Sequence, residues 1–418
     1  MKFNKWTLGL AAVGLVSLNS AANADDAAAP ASTVLTALSS TTLSGYVDTS
    51  AQWNLGTGNA NSPNYSFGGD SKADGFNLNV VQLSLDKPLD ESEWSSGYHV
   101  DLWLGPDANA LGSQSVGADG AADFAIRQAY VTLRTPVGNG IDWKIGVFDT
   151  VIGYESLASP NNPNYTHSYG FTIEPTTHTG ILASYKINDM LNVSAGIANT
   201  FGPVINERAQ GPNFGSRTTA ESYKTYMAAV ALTAPSSWGW IGGSTLSAGV
   251  VNGFNSSAGE FGGGAQTSFY AGATVNTPMT ALKLGASLDY VNQWDKNAAF
   301  AAGNDGEFTG DGSAWAGALY ASFQATEKLS LNLRGEFLDD SADMVVDSSE
   351  LGMNRAKIWA ATATAQYDLW KNVITRVEFR WDHSDAGKLF GANSNSSTSS
   401  GPSRRNAYML AAQVIYKF

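Results

Sequence analysis

The chain of 418 residues has no cysteine. Disulfide staples and thiolate chemistry, metal-binding or nucleophilic, are therefore excluded. Histidine is scarce too: His99, His167, His178 and His383 are the only four, and none stands at a metal-ligand spacing such as H-E-x-x-H. Basic residues are the minority, 24 Lys and Arg against 37 Asp and Glu. The resulting charge of −13 disfavours a nucleic-acid partner, which needs a basic face to engage phosphates. Beyond residue 24 no apolar run approaches the roughly 20 residues of a membrane-spanning helix. Yet 43% of the residues are hydrophobic and 11% aromatic, and 44 glycines far exceed 13 prolines. Apolar matter on this scale without long apolar runs implies strands, in which only alternate residues face the same way.

The first 24 residues have the three parts of an export signal. Lys2 and Lys5 form a positive start, Trp6 to Leu18 an apolar stretch too short to span a membrane, and Ala22-Asn23-Ala24 a small-x-small cleavage site. We expect a mature chain Asp25–Phe418, exported from a bacterial cytoplasm, with residues 25–40 as a short periplasmic extension. Losing two lysines and no acid, it carries −15. Two classes fit such a chain: a secreted β-sandwich or solenoid, and an outer-membrane β-barrel with its weak per-strand signal.

Alternation separates them. In "LSLNLRGEF" Leu329, Leu331, Leu333 and Phe337 oppose Ser330, Asn332, Arg334 and Glu336. In "VITRVEFRWD" Val373, Val377, Phe379 and Trp381 oppose Arg376, Glu378, Arg380 and Asp382. Strands of about ten residues whose polar faces pair arginine with carboxylate are unusual for a face that merely meets bulk water. About sixteen strands are predicted, near 42–53, 75–86, 96–105, 123–134, 140–149, 177–187, 190–201, 222–234, 240–253, 266–276, 280–291, 313–326, 328–338, 355–368, 371–382 and 405–418. A change of phase between Val80 and Val81 predicts a bulge in the second. Connections after odd strands are long and polar, such as "GNDGEFTGDG" and "GANSNSSTSSGPS"; those after even strands are short, such as "RTPVGN" and "DLWKN". Long–short alternation is expected of an all-β transmembrane antiparallel barrel with long external loops and short periplasmic turns, not of a sandwich.

The chain finishes "NAYMLAAQVIYKF", apolar at every second residue back from Phe418. A last strand that closes against the first leaves no edge. Tyr416 and Phe418 would then lie in an interfacial aromatic belt and serve as the signal read by the barrel-assembly machinery.

The run "FAIRQAYVTLRTPVGNGIDWKIGVFDTVIGYES" at 124–156, with "NPNYTHSYGFTIEPTTHTGILASYK" after it, resembles the OmpL-like β-barrel porin family of bacterial outer membranes. The likeness is strongest over about 120–190, and the barrel pattern extends it over 41–418. It implies a porin passing small hydrophilic solutes, in contact with outer-membrane lipid and lipopolysaccharide, and names no particular substrate. A homotrimer is usual for such porins, though no sequence feature demands one.

The connection after strand five, about Thr150–Thr176, is aromatic (Tyr154, Tyr165, Tyr169, Phe171) and stiffened by Pro160, Pro163 and Pro175. Exposed tips are usually small and polar, so these aromatics suggest packing. It holds the ordinal place of the third external loop, which in sixteen-stranded porins folds inward. Folded in, it offers Glu155 and Glu174 as acids at a pore constriction, with Arg127, Arg334, Arg376 and Arg380 facing them from the wall. The plainer alternative pairs these arginines with Glu336, Glu378 and Asp382 across neighbouring strands. An external cap or an oligomer contact are the other places for the loop.

Catalytic and metal sites are not expected, nor a cofactor. Asp382 and His383 are adjacent on a strand, so their side chains leave opposite faces and form no dyad. The acidic runs "DGEFTGD" and "DDSADMVVD" lack calcium-loop spacing and read as solvated tips, with weak divalent bridging to lipopolysaccharide as a further role. The leading expectation is a water-filled diffusion channel with mild cation preference; the alternative is a closed-lumen structural or adhesive surface barrel. Sixteen strands are wide enough for a channel.

Overall fold

The computed structural model describes residues 40–115, 122–209, 222–254, 265–294, 312–341, 345, 355–392 and 401–418. The expected signal peptide, the acidic run 305–311 and most of "DDSADMVVD" lie outside them. Sixteen antiparallel strands close into one barrel. They are β1 (Thr42–Trp53), β2 (Gly75–Lys87), β3 (Ser96–Leu104), β4 (Phe124–Thr135), β5 (Ile141–Asp149), β6 (Thr177–Lys186), β7 (Leu191–Ala198), β8 (Thr225–Thr233), β9 (Thr245–Phe254), β10 (Ala265–Asn276), β11 (Leu282–Trp294), β12 (Gly312–Gln324), β13 (Leu329–Asp340), β14 (Ala356–Trp370), β15 (Val373–Ser384) and β18 (Asn406–Lys417). Two short strands, β16 (Phe390–Ala392) and β17 (Pro402–Arg404), form a separate hairpin in the last long connection.

The period-two pattern decides which side chains face in. On β13, Leu331 and Leu333 point outward, 42% and 58% exposed, while Asn332, Arg334 and Glu336 between them are buried. β15 repeats this with Val377 and Phe379 outside and Arg376, Glu378 and Arg380 inside. A polar lining and an apolar outside suit a barrel bathed in lipid. Exposed aromatics gather at both rims: Trp94, Tyr367, Trp370, Tyr416 and Phe418 at the short-turn end, and Trp53, Phe76, Phe124, Phe269, Trp359 and Tyr408 at the long-loop end.

The closure lies at the chain terminus. β18 pairs with β15 on one side and β1 on the other, with Tyr416 opposite Val47. Phe418 N–H donates to Gly45 O at 3.0 Å and Gly45 N–H to Phe418 O at 2.9 Å. Gly45 also leaves space for the Phe418 ring, 2.7 Å from where a Cβ would stand. The last backbone groups are thus satisfied within the sheet, as apolar surroundings require.

The bulge in β2 falls at Asn79, which the β1 ladder skips between Asp48 and Thr49, one residue from the phase change in the sequence. Two segments differ from the strand pattern. β9 begins at Thr245 because Ser236–Ile241 forms a helical turn broken by Gly239 at φ +68°, exposing Trp238 and Trp240 at the rim. A short helix, α1 (Pro106–Leu111), opens the connection after β3 and buries Ala108 and Leu111 inside the barrel.

The inward loop as candidate functional site

Thr150 N–H donates to Thr176 O at 2.9 Å, closing the neck of the loop between β5 and β6. From there the segment runs into the lumen and meets wall residues from β6 round to β1. Its outgoing leg is apolar: Val151, Ile152 and Tyr154 pack with Leu182, Met227, Val251, Tyr270 and Tyr320. Tyr154 stacks on Tyr320 with centroids 4.3 Å apart, and its hydroxyl lies 3.1 Å from Thr274 Oγ1.

Its far span is held by charge. Arg334, on β13, reaches Glu155 at 3.1 Å and Glu336 at 2.9 Å, and donates to Thr166 O at 2.7 Å and His167 O at 3.2 Å. Arg380, on β15, pairs with Asp382 at 2.9 Å and donates to His167 O at 2.8 Å. Its guanidinium lies between the rings of Tyr65 and Tyr169, 4.3 and 4.9 Å from their centroids. Arg376 donates to Ser159 O, to Asn162 O and to Gln413 on β18. Glu378 accepts from the loop itself, Tyr165 N–H at 2.6 Å and Thr166 N–H at 3.0 Å. Glu336 likewise accepts from Tyr169 N–H at 2.7 Å, and Asp382 from the Tyr169 hydroxyl at 2.8 Å. A buried loop must find partners for its backbone polar groups. Here they are ionised wall side chains, whose hydrogen bonds are the stronger kind.

The six residues singled out in the sequence are only partly brought together. Glu155 joins Arg334, His167 at 3.1 Å and the Tyr320 hydroxyl at 3.0 Å. Arg376 and Arg380 belong to the same seam, but Arg127 does not. It sits on β4 between Asp101 at 3.2 Å and Asp149 at 2.5 Å. Glu174 lies at the end of the returning leg beside Asp289 of β11, with no arginine pairing it among the described residues. Pairing with Glu336, Glu378 and Asp382 across neighbouring strands accounts for little: Arg334–Glu336 and Arg380–Asp382 are neighbours on one strand, and Arg380–Glu336 at 3.5 Å reaches across β14. Burial pushes the Glu155 pKa up, but Arg334 and then His167 outweigh it and hold the group at about 2.

Sequence reasoning missed the parts supplied by other loops. Lys72 pairs with Asp107 of α1 at 2.5 Å, and Phe67 packs on Trp103, His167 and Phe171. Tyr46, Asp48, Lys72, Trp103, Tyr165 and His167 line a cavity of about 20 Å³. Each of the sixteen barrel strands buries at least one described lumen-facing side chain, among them Phe148, Leu182, Ser194, Met227 and Val251 on the side away from the arginine seam. The histidines stay apart: His99 lies between Asp86 and Asp101, His178 is buried against Thr150, and His383 meets Asn406 while Asp382 points into the barrel.

The profile of the family described as "Putative beta-barrel porin-2, OmpL-like" matches residues 40–418. The chain belongs to this family. No curated protein matches it. Among solved structures it is similar to the outer membrane channel DcaP of Acinetobacter baumannii, at 14% identity and TM-score 0.55, over 90% of this chain and 97% of that one. It is equally similar to an anion-selective porin from Comamonas acidovorans, at 16% identity and TM-score 0.55, over 91% and 99%. A third is OmpT of Vibrio cholerae in its trimer form, at 12% identity and TM-score 0.54, over 90% and 99%. At these identities the likeness extends to the fold.

Proposed function

We propose that this OmpL-like porin forms a passive channel for small hydrophilic solutes and ions across a bacterial outer membrane, with the 150–176 loop as its constriction. One observation carries the reading: a long loop is anchored inside the barrel by ionised wall residues placed there by the strand alternation. A wall arginine costs several kcal/mol to bury, and a purely structural barrel has no need of one. Family membership and the porin fold support the same reading. Assembly by the barrel-assembly machinery through Tyr416 and Phe418, contact with lipopolysaccharide, and a homotrimer are the partners it implies.

Selectivity follows from the sum of the seam's charges. Carboxylates outnumber Arg334, Arg376 and Arg380 there, and low-dielectric walls carry their field to a passing ion without direct contact. We expect mild cation preference, opposite in sign to the Comamonas relative. The burial of a lumen-facing residue on every strand favours a second reading, a barrel closed at this level. Single-channel recording of purified protein in planar bilayers, with reversal potentials under a salt gradient, decides between them. Unitary steps with a cation-directed reversal support the channel; an anion-directed reversal removes the selectivity; no steps under any condition leave the closed barrel.

A further inference from the structure

One buried cluster takes no part in the arginine seam. Glu174 ends the returning leg of the loop, and its carboxyl faces that of Asp289 on β11. Asp289 is 3% exposed; its Oδ1 and Glu174 Oε1 are both buried without a partner. The loop is shaped around the pair. Gly153, on the outgoing leg at φ +119°, leaves the space a Cβ would need 2.5 Å from Glu174 Oε2. Gly170, on the returning leg, does the same 2.4 Å from Asp289 Oδ2. Among the described residues the titratable groups facing the pair are Glu155 on the outgoing leg and Tyr270 on β10, with Tyr154 next to Tyr270; Arg334 is taken up by Glu155 and Glu336.

Two ionised carboxylates only accept hydrogen bonds, so the buried, unpartnered oxygens of two facing carboxyls are satisfied only if one of the groups carries a proton. Like charges facing each other in a buried site also oppose double ionisation. We propose that Glu174 and Asp289 form a proton-binding site, and that the single shared proton latches both legs of the constriction loop to β11. The inference rests on the channel reading above and adds its regulation. Burial, then the Asp289 carboxylate, push Glu174 well above the ordinary carboxylate range. The sign follows: the folded loop binds this proton more tightly than the unfolded chain, so the latch holds at low pH and weakens as pH rises through the raised value. Deprotonation sets two buried negative charges against each other beside Glu155, and the loop swings from β11.

The test is single-channel conductance of the full chain from about pH 5 to about pH 9, with infrared spectroscopy of the protonated carboxyl band. In the wild type, conductance should rise several-fold toward the alkaline end as that band disappears. Asp289→Asn donates an amide N–H to Glu174 without a titrating proton, so its conductance should stay low and flat with pH, and the band should be missing. Glu174→Gln offers the same substitution from the loop side should Asp289→Asn fail to fold. A wild-type channel whose conductance is flat with pH, or a response to chelator and calcium in place of pH, overturns the proton site. A barrel that forms no channel at any pH overturns the channel reading instead.

Discussion

One loop is held to two walls by different physics. Between β6 and β10 the wall offers an apolar patch, and Val151, Ile152 and Tyr154 rest on Leu182, Met227 and Val251. Between β13 and β15 it is built of Arg334, Glu336, Arg376, Glu378 and Arg380, all buried against loop carbonyls and N–H groups. Apolar contact is non-directional and tolerates a sliding loop. The charged seam is directional: moving the loop by one residue would leave Glu378 without Tyr165 and Thr166 N–H, and Arg334 without Thr166 O. The first wall supplies adhesion and the second supplies register.

The largest expected effect comes from removing the span that bridges the walls. Deleting residues 156–170 takes out the partners of Arg376, Glu378 and Arg380 and leaves them to water in a widened lumen. Single-channel conductance should rise several-fold, while the protein still runs as a heat-modifiable barrel on gels. An unchanged conductance would mean that ions do not pass by this loop.

Breaking the charged seam alone comes next. Arg334→Ala takes the arginine from buried Glu155 and leaves Glu336 only the longer contact to Arg380 at 3.5 Å, a change that costs about 3–5 kcal/mol where the rest of the site cannot relax. A loop can relax, so release of the far span and noisy, enlarged conductance steps are expected. Arg334→Lys should recover only part, because one ammonium cannot meet two carboxylates and two carbonyls at once. The same pair sets an acid limit. With Glu155 held at about 2 against an ordinary value near 4.5, its contribution is complete above 4.5 and lost as pH falls toward 2. Protease sensitivity of the loop followed down this range should show late loosening in the wild type and none left to lose in Arg334→Ala.

The comparison also shows what the sequence could disclose. The charged wall was legible, because period two puts Arg334, Glu336, Arg376, Glu378 and Arg380 on one face of two strands where a lipid-facing row stands opposite. Loop length and parity likewise gave the barrel, and its aromatics made the 150–176 segment conspicuous. Partner choice was not legible. Glu155 and Glu174 look alike in the sequence, yet one meets an arginine and the other a carboxyl, which depends on where the loop turns at Gly153 and Gly170. Asp289 sits in "LGASLDYV" by the same alternation that exposed the arginines, so its inward position could be read, though not its neighbour. α1 enters from a connection whose polar composition gave no hint of packing, and it buries Ala108 and Leu111 beside Trp103 of β3.

A smaller effect is expected on the apolar wall. Ile152 is 1% exposed and lies over Gly249, where a Cβ would stand 2.7 Å from its Cγ2. Ile152→Ala leaves a cavity that costs about 2 kcal/mol, the low end for such a truncation because the loop can settle onto β9. Thermal unfolding should show the loss equally at low and high salt. A strong salt dependence would mean that this leg, too, is held by charge.

The smallest effect isolates the point where the two modes meet. Tyr154 belongs to the apolar leg by its ring, stacked on Tyr320, and to the polar one by its hydroxyl at Thr274. Tyr154→Phe keeps the ring and removes a single neutral hydrogen bond, with a net cost of about 1 kcal/mol. Thr274 Oγ1, on the strand next to the latch, is left to find another partner. If adhesion lies in the stacking, conductance and register stay as in the wild type and only the melting temperature slips slightly. If the hydroxyl helps to set register, the variant should show a second conductance level, and the clean division between an adhesive wall and a registering wall would fail at this residue.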